Sequence, residues 1–136
     1  MICLDTNVVI AALKDESSPV LSRLAQTMRK RVTIGVSALV MFELFFGAAK
    51  SAFPERNARR VREFALSALL ILPFDAEDGA EAGDIRAYLK RMGTPVGPYD
   101  ILIAAQARRR DALLVTANTR EFARVPGLRI EDWTAA

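Results

Sequence analysis

The sequence predicts an α/β protein of three layers, α/β/α, with a central, mainly parallel sheet of four to five strands. Three observations indicate this class. Short apolar runs typical of buried strands alternate along the chain with longer segments of helical periodicity. Polar residues that favour helix starts follow several of these runs directly. No internal repeat or low-complexity segment interrupts the pattern. Alternation of this kind favours right-handed βαβ units.

The predicted strands are short and rich in β-branched and leucine residues, as in a sheet covered on both faces. They are 1–4, 32–36, 69–74, 113–116 and, as a final edge strand, 128–130.

The predicted helices begin at recognisable caps or prolines. Ser17-Ser18-Pro19 is one such start, and Ser37 and Asp75 are two further caps. The loop 93–97 contains two glycines and a proline, which break any regular element. The helical segments are 8–13, 20–30, 37–51, one from near Pro54, 75–91, 98–110 and a short turn at 120–123.

The length of 136 residues predicts a single domain, 1–136, that buries roughly two thirds of the surface of its unfolded chain. The hydrophobic share of 51% and the mean hydropathy of +0.16 are high for this size. We therefore expect apolar surface that a dimer or a tightly held partner covers.

The longest apolar stretch, 39–49, contains Glu43 and is shorter than the roughly 18 residues that span a bilayer. No basic leader precedes the apolar residues at the start, so we expect neither a signal peptide nor a membrane anchor. The lone Cys3 cannot form an internal disulfide and is expected in the core. These features predict a reducing, cytoplasmic setting.

The basic residues and the absence of histidine limit the partners and the kinds of catalysis that this sequence can support. The net charge is +3 and 15 of the 19 basic residues are arginine, which favours a polyanionic partner but is also common on solvated surfaces. Histidine is absent. This excludes histidine-based triads and histidine metal sites, so an enzyme of this sequence must use carboxylates, hydroxyls or a metal that they hold.

Polar residues at strand ends are the candidate site. Asp5 follows the first strand, Asn118 follows the fourth, and Asp100 stands in the first turn of a helix after the glycine-rich loop. Each alone has an ordinary interpretation: a helix cap, a turn residue and a favourable partner of the helix dipole, respectively. Glu43 lies in a helix that is apolar on most sides, where its carboxylate needs either a cation such as Lys50 or a metal or donor.

A shared site explains these four residues better than four separate roles do. Ligands bind at the carboxyl edge of parallel sheets, and oxygen donors in such a group hold Mg²⁺ or Mn²⁺. The further motifs of the chain are Leu4-Asp5-Thr6-Asn7, Ser37 with Glu43 and Gly47, Gly97-Pro98-Tyr99-Asp100 with Ile103-Ala104-Ala105, Val115-Thr116, 118–122, Arg124-Val125 and 127–133.

In this order and spacing, and over essentially the whole chain, the motifs resemble the PIN-domain ribonucleases, specifically the VapC toxins of type II VapBC toxin–antitoxin pairs. The resemblance implies a PIN-like fold. It implies that Asp5 and Asp100 are the principal metal ligands, with Glu43 binding the metal or positioning the attacking water. The family often has a fourth acid after the last long strand. Here Asn118 stands there and Glu121 follows three residues later, so either can be the fourth site residue.

The same resemblance implies an activity and partners. Bound Mg²⁺, for which Mn²⁺ can substitute, would activate water to cut a phosphodiester, leaving 5′-phosphate and 3′-hydroxyl ends. The implied substrate is structured RNA, commonly tRNA cut in the anticodon loop, with initiator tRNA a plausible target. The implied partners are a VapB antitoxin that covers the acidic pocket and a second toxin copy, with DNA contacted only through the antitoxin. Thr6 and Thr116 are expected to hydrogen-bond the acids.

The basic residues expected to follow an RNA backbone are Arg86, Lys90, Arg91 and 108–110, each of which also fits a solvated helix face. Three alternatives stay open. One is a non-catalytic PIN-fold binding module, favoured by Asn118. Another is a nuclease acting on DNA. The third is a receiver-like phospho-acceptor domain, although Asp5 has no adjacent acid and no lysine follows the fourth strand.

Overall fold

A computed structural model describes residues 1–67 and 69–134. The predicted domain, 1–136, also includes Ala68, Ala135 and Ala136, which lie outside the described residues. The strands are β1 Ile2–Leu4, β2 Ile34–Ser37, β3 Leu70–Leu72, β4 Leu113–Val115 and β5 Arg129–Glu131. Each lies at or within a residue or two of a predicted strand.

The helices also follow the prediction closely. Side-chain oxygens of Asp5, Ser18, Ser37 and Asp75 cap helices, and Asp75 and Asp78 form a reciprocal capping box. The helices are α1 Thr6–Lys14, α2 Pro19–Arg29, α3 Ala38–Ala49, α4 Pro54–Leu66, α5 Ala76–Met92, α6 Pro98–Arg109 and α7 Thr119–Phe122.

The sheet has five strands in the order β3-β2-β1-β4-β5, and every pairing is parallel. This confirms the predicted parallel sheet, with five strands where four to five were predicted. Strand β1 is central, with Leu4 paired to Val36 of β2 on one side and to Val115 of β4 on the other. The chain builds outward from β1 in both directions, which opens a crevice beyond the carboxyl ends of β1 and β4.

The core lies on both faces of the sheet, as the apolar strands require. Leu4, Val36 and Leu114 are almost completely buried, and Phe122 and Trp133 close the side of the sheet near β5. Cys3 is buried as predicted. Within the described ranges, no helix is both long enough and apolar enough to cross a membrane.

A buried ion-pair network fixes α6 against α5. The carboxylate of Asp78 has no exposed side-chain surface and accepts hydrogen bonds from Arg109 at 2.8 Å and Arg110 at 2.9 Å. Burial acts to raise the pKa of Asp78, but the bonds from Arg110, the backbone of Asp75 and Arg109 outweigh it and hold that pKa well below its ordinary value. Because α6 carries Asp100 in its first turn, this network also fixes the direction from which Asp100 approaches the crevice.

Candidate active site

Asp5 is the innermost acid of the crevice. It ends β1, and its backbone N–H donates to the carbonyl of Val115 in β4. One carboxylate oxygen accepts the Thr6 N–H and the other accepts the Thr116 hydroxyl, each at 2.8 Å. The side chain therefore caps α1 and also lies at the switch point of the sheet. The helix-cap interpretation of Asp5 and its interpretation as a site residue are thus compatible. Thr116 is completely buried and makes the bond predicted for it.

Glu43 comes to the same place from α3. Its Oε1 accepts the hydroxyl of Thr6 at 2.8 Å, so Thr6 donates to Asp5 through its backbone and to Glu43 through its side chain. The alternative of an ion pair with Lys50 is wrong in this structure, because the Lys50 ammonium lies over the Phe46 ring at 5.0 Å. Among the residues described, Glu43 makes no ion pair with any arginine either.

Asp100 faces the other acids across the crevice. Burial raises the pKa of Asp100 to about 6, helped by the negative charges of Asp5, Glu121 and Glu43. Hydrogen bonds join three of the predicted residues, because Thr6 donates to both Asp5 and Glu43 and Thr116 links Asp5 to Asn118. Burial also raises the pKa of Asp5, while the bonds from Thr116 and Thr6 act in the opposite direction.

Asn118 and Glu121 lie at the start of α7, beside α6. The Asn118 Nδ2 donates to Glu121 Oε2 at 2.8 Å, and the Gly97 N–H donates to Glu121 Oε1 at 2.9 Å. Asn118 also donates its backbone N–H to Thr116 Oγ1 at 3.0 Å. The hydrogen bonds from Asn118 and Gly97 lower the pKa of Glu121. The Gly97 backbone donor was not predicted, because no sequence pattern marks it.

The donor set fits a hard divalent cation. The acids of the crevice, Asp5, Glu43, Asp100 and Glu121, offer carboxylate oxygens, and the hydroxyls of Thr6 and Thr116 donate to two of them. Across residues 1–67 and 69–134, however, no three acid, cysteine or histidine side chains stand so that they could jointly hold an ion. Mg²⁺ commonly takes only one or two protein carboxylates and keeps several waters, which this more open arrangement allows.

One groove reaches a site acid, and a second cleft lies next to the start of α6. A groove of about 410 Å³ lies between α1, α3 and α4, has mostly apolar walls that include Leu13 and Leu44, and reaches Glu43 at its edge. A second cleft of about 460 Å³ lies beside the 93–97 loop and carries Arg86 and Lys90.

Five of the six basic residues predicted to contact RNA divide between two environments, and the sixth, Arg91, is exposed in the last turn of α5. Arg86 and Lys90 line the second cleft, next to Val96 and Ile101. The basic residues 108–110 instead pair with acids of α5: Arg108 with Glu81 at 3.0 Å, and the next two with Asp78. They also lie about 12 to 15 Å along α6 from Asp100, at 1.5 Å per residue. For residues 108–110, a structural role in ion pairs with α5 is therefore favoured over a role in RNA binding.

The fold and site together define a class: parallel α/β proteins with a carboxylate-rich, oxygen-donor pocket at the switch point of the sheet. The model of the PIN domain matches residues 2–128. The tRNA(fMet)-specific endonuclease VapC of Shigella flexneri is 44% identical over 131 residues, 96% of this chain and 96% of that protein.

Solved structures agree with this comparison. A chain of the DNA-bound VapBC structure from Salmonella typhimurium is similar with a TM-score of 0.89 and 42% identity, covering 97% of each chain. A chain of VapBC2 from Rickettsia felis, bound to a promoter DNA fragment, has a TM-score of 0.90 and 36% identity, covering 98% of this chain and 99% of that one. This chain belongs to the PIN domain family, and within it to the VapC ribonucleases.

Proposed function

We propose that this chain is the toxin of a type II VapBC pair, an endoribonuclease that uses Mg²⁺, or Mn²⁺ in its place, to hydrolyse a phosphodiester of tRNA. The observation that carries the proposal is the grouping of four acids at one edge of the sheet: Thr6 donates to both Asp5 and Glu43, and Asp100 Oδ2 and Glu121 Oε1 lie 3.7 and 4.0 Å from the Cβ position of Gly97. PIN-domain ribonucleases depend in general on a divalent metal, and the oxygen donors here suit one.

In this proposal Asp5 and Asp100 would be the principal residues that hold the metal. When bound, the ion supplies activation of a water and compensation of the charge that develops on the phosphate. The Thr116 and Thr6 donors fix both oxygens of Asp5, so that its orientation is set before the metal arrives. Glu43, whose Oε1 accepts the Thr6 hydroxyl, would bind the metal or orient the attacking water.

The substrate proposal is initiator tRNA, cut in the anticodon loop. It is supported by the name of the Shigella relative at 44% identity and by the second cleft, which carries Arg86 and Lys90 and is lined by Ile101, the residue after Asp100. Arg86 and Lys90 would contact phosphates on one side of the cut. A DNA substrate has no comparable support.

The proposed inhibitor is a VapB antitoxin. Solved relatives from Salmonella and Rickettsia are complexes of both proteins with DNA, and in this chain the apolar groove ends at Glu43. A peptide that fills this groove and extends a basic side chain to the acids would block both metal and RNA. We place the pair in the cytoplasm with its tRNA; a toxin homodimer stays a prediction.

The test is cleavage of initiator and elongator methionine tRNA transcripts by antitoxin-free protein in Mg²⁺, with the ends of the products mapped. We expect one principal cut in the initiator anticodon loop, with a 5′-phosphate on the downstream fragment. Asp100→Asn serves as the inactive control, since it keeps the side chain's shape and removes its charge. A 2′,3′-cyclic phosphate product would contradict attack by water, and equal cutting of both tRNAs would contradict the substrate.

A further inference from the structure

The positive charge of this chain is concentrated in one short segment. Residues 50–63, from the end of α3 through most of α4, contain five basic and two acidic residues and so carry a net charge of +3. The rest of the chain has 14 basic and 14 acidic residues, so this segment accounts for the whole net charge of +3. We call its five basic residues the α3–α4 basic surface: Lys50, Arg56, Arg59, Arg60 and Arg62.

We infer that the α3–α4 basic surface binds the sugar–phosphate backbone of the RNA substrate at a distance from the cut. The inference rests on the proposed ribonuclease function. It adds a second region of RNA contact, on the opposite side of the apolar groove from Glu43.

The charges of this surface are not compensated inside the protein. All five residues are exposed, and in the part of the chain that the structure describes none of them forms an ion pair. The two acids of the same segment, Glu55 and Glu63, form none there either. By contrast, Arg108 and Arg110 lie 3.0 and 2.9 Å from carboxylate oxygens of α5. The α3–α4 basic surface therefore keeps its full charge for a polyanionic partner.

Aromatic rings orient three of these cations. They are Lys50 over Phe46 at 5.0 Å, Arg62 over Phe45 at 5.0 Å and Arg56 over Phe53 at 5.7 Å. A ring at this distance attracts a cation without neutralising it, and it restricts a long side chain that would otherwise lose that freedom on binding. A guanidinium that packs one face on a ring keeps its N–H edge for the oxygens of a phosphate. These cations are thus held in position and still able to bind an anion.

The position of the surface favours RNA over a groove-bound peptide as its partner. Lys50 follows Glu43 by seven residues, about 10 Å along α3 at 1.5 Å per residue, so a phosphate bound there is not the one that is cut. Of the five cations, Arg60 is the one that stands among the described residues lining the apolar groove. A peptide confined to that groove leaves the other four uncovered, whereas RNA carries a phosphate at every nucleotide and extends well beyond the groove.

The experiment measures the binding of initiator tRNA transcript in EDTA, by fluorescence anisotropy over a range of salt concentrations. The double variant Arg59→Gln/Arg62→Gln removes two charges of the surface, and glutamine keeps the helix propensity of α4. The double variant Arg29→Gln/Lys30→Gln removes two exposed charges at the end of α2 and is the matched control of equal net charge.

We expect the surface variant to bind tRNA about 10- to 100-fold more weakly than the wild type at about 0.1 M salt. The slope of log K against log salt should become shallower by about 1.4–1.8, because each lost phosphate contact removes about 0.7–0.9. The control should match the wild type in both. In Mg²⁺ the surface variant should have a raised KM for tRNA and a kcat within about twofold of the wild type, because the lost contacts lie away from the cut.

Equal tRNA affinity and equal slopes in the surface variant and the control would overturn the inference. A lower kcat with unchanged affinity would place Arg59 and Arg62 in the cleavage step and overturn it too. Normal tRNA binding with weaker inhibition by a VapB antitoxin would assign the surface to that protein instead. Thermal unfolding verifies each fold, and Arg59→Lys/Arg62→Lys, which keeps both charges, should retain the wild-type slope.

The outcomes for the wild type separate this inference from the proposed function. A wild type that binds tRNA in EDTA through this surface but cuts no RNA in Mg²⁺ would refute the proposed function and leave the inference standing. A wild type that cuts tRNA, while the surface variant binds it as tightly, would refute the inference alone. A wild type that neither binds nor cuts tRNA would refute both.

Discussion

Thr116→Val tests how strongly the fold and the site depend on one hydroxyl. Thr116 is completely buried, donates to Asp5 Oδ2 at 2.8 Å and accepts the Asn118 N–H at 3.0 Å. Valine keeps the shape and removes both bonds. A hydrogen bond to a charged group contributes about 1.5–3 kcal/mol, and the freed Asp5 oxygen has little access to water because Asp5 is only 4% exposed.

The Thr116 bond also favours the ionised form of Asp5, because it lowers the pKa of that carboxyl against the effect of burial. We expect the free energy of unfolding to fall by about 2 kcal/mol in urea titrations at pH 7 with EDTA. Mn²⁺ affinity should fall about 10- to 100-fold, because the ligand must be ionised and correctly oriented.

Thr116→Ser is the matched control. It keeps the hydroxyl and removes one methyl group, which costs about 1 kcal/mol of stability, and it should bind Mn²⁺ nearly as the wild type does. If the valine and serine variants have the same Mn²⁺ affinity, the hydroxyl does not orient Asp5 and the reasoning fails.

Three other changes test separate parts of the structure. Asp78→Asn should lower the free energy of unfolding by about 3 kcal/mol in urea at pH 7, because Arg110 loses its anion and Arg109 keeps only the more exposed Asp75 at 3.2 Å. Since the folded protein depresses the pKa of Asp78, the stabilisation is present above its ordinary value of 3.8 and is lost as the pH falls below it. Wild type should thus lose more stability than Asp78→Asn between pH 5 and pH 3, and parallel curves would contradict this. Thr6→Val removes the donor of Glu43 and should slow single-turnover cleavage about 10- to 100-fold while unfolding changes by less than about 1 kcal/mol; an unchanged rate would remove Thr6 from the site. Lys90→Ala should reduce the slope of log K for tRNA against log salt by about 0.7–0.9, measured in EDTA, whereas Arg108→Ala, whose partner is Glu81, should leave the slope unchanged. Equal slopes for these two variants would contradict the assignment of the second cleft to RNA.

The fold was largely predictable because its signals are local. Ser37 and Asp75 each end a strand region and cap the next helix, and such caps depend on neighbours within three residues. Apolar strands of three or four residues have only one environment available, the interior of a parallel sheet. The fifth strand was predicted with its edge position, although the number of strands was left between four and five.

The site was predictable only as far as topology determines it. Asp5 and Asp100 follow from strand ends and helix starts, which a parallel sheet places at one edge. The orientation of the Glu121 carboxylate depends on a hydrogen bond from the Gly97 N–H, which lies 24 residues away in sequence. The run of arginines at 108–110 likewise does not show in the sequence which acids it pairs with. The ion pair of Arg108 with Glu81 joins residues that are 27 apart in sequence.

We expect the acids grouped beyond the carboxyl ends of β1 and β4, with Asp5 at their centre, to form a metal-dependent ribonuclease site. The most direct measurement is the cleavage rate of purified tRNA by antitoxin-free protein in Mg²⁺ and in EDTA, for the wild type and Asp5→Asn. We predict cutting by the wild type in Mg²⁺ alone, abolished by EDTA and by Asp5→Asn. Cutting that survives both EDTA and Asp5→Asn, or a folded wild type that cuts no tRNA in Mg²⁺ or Mn²⁺, would contradict the claim.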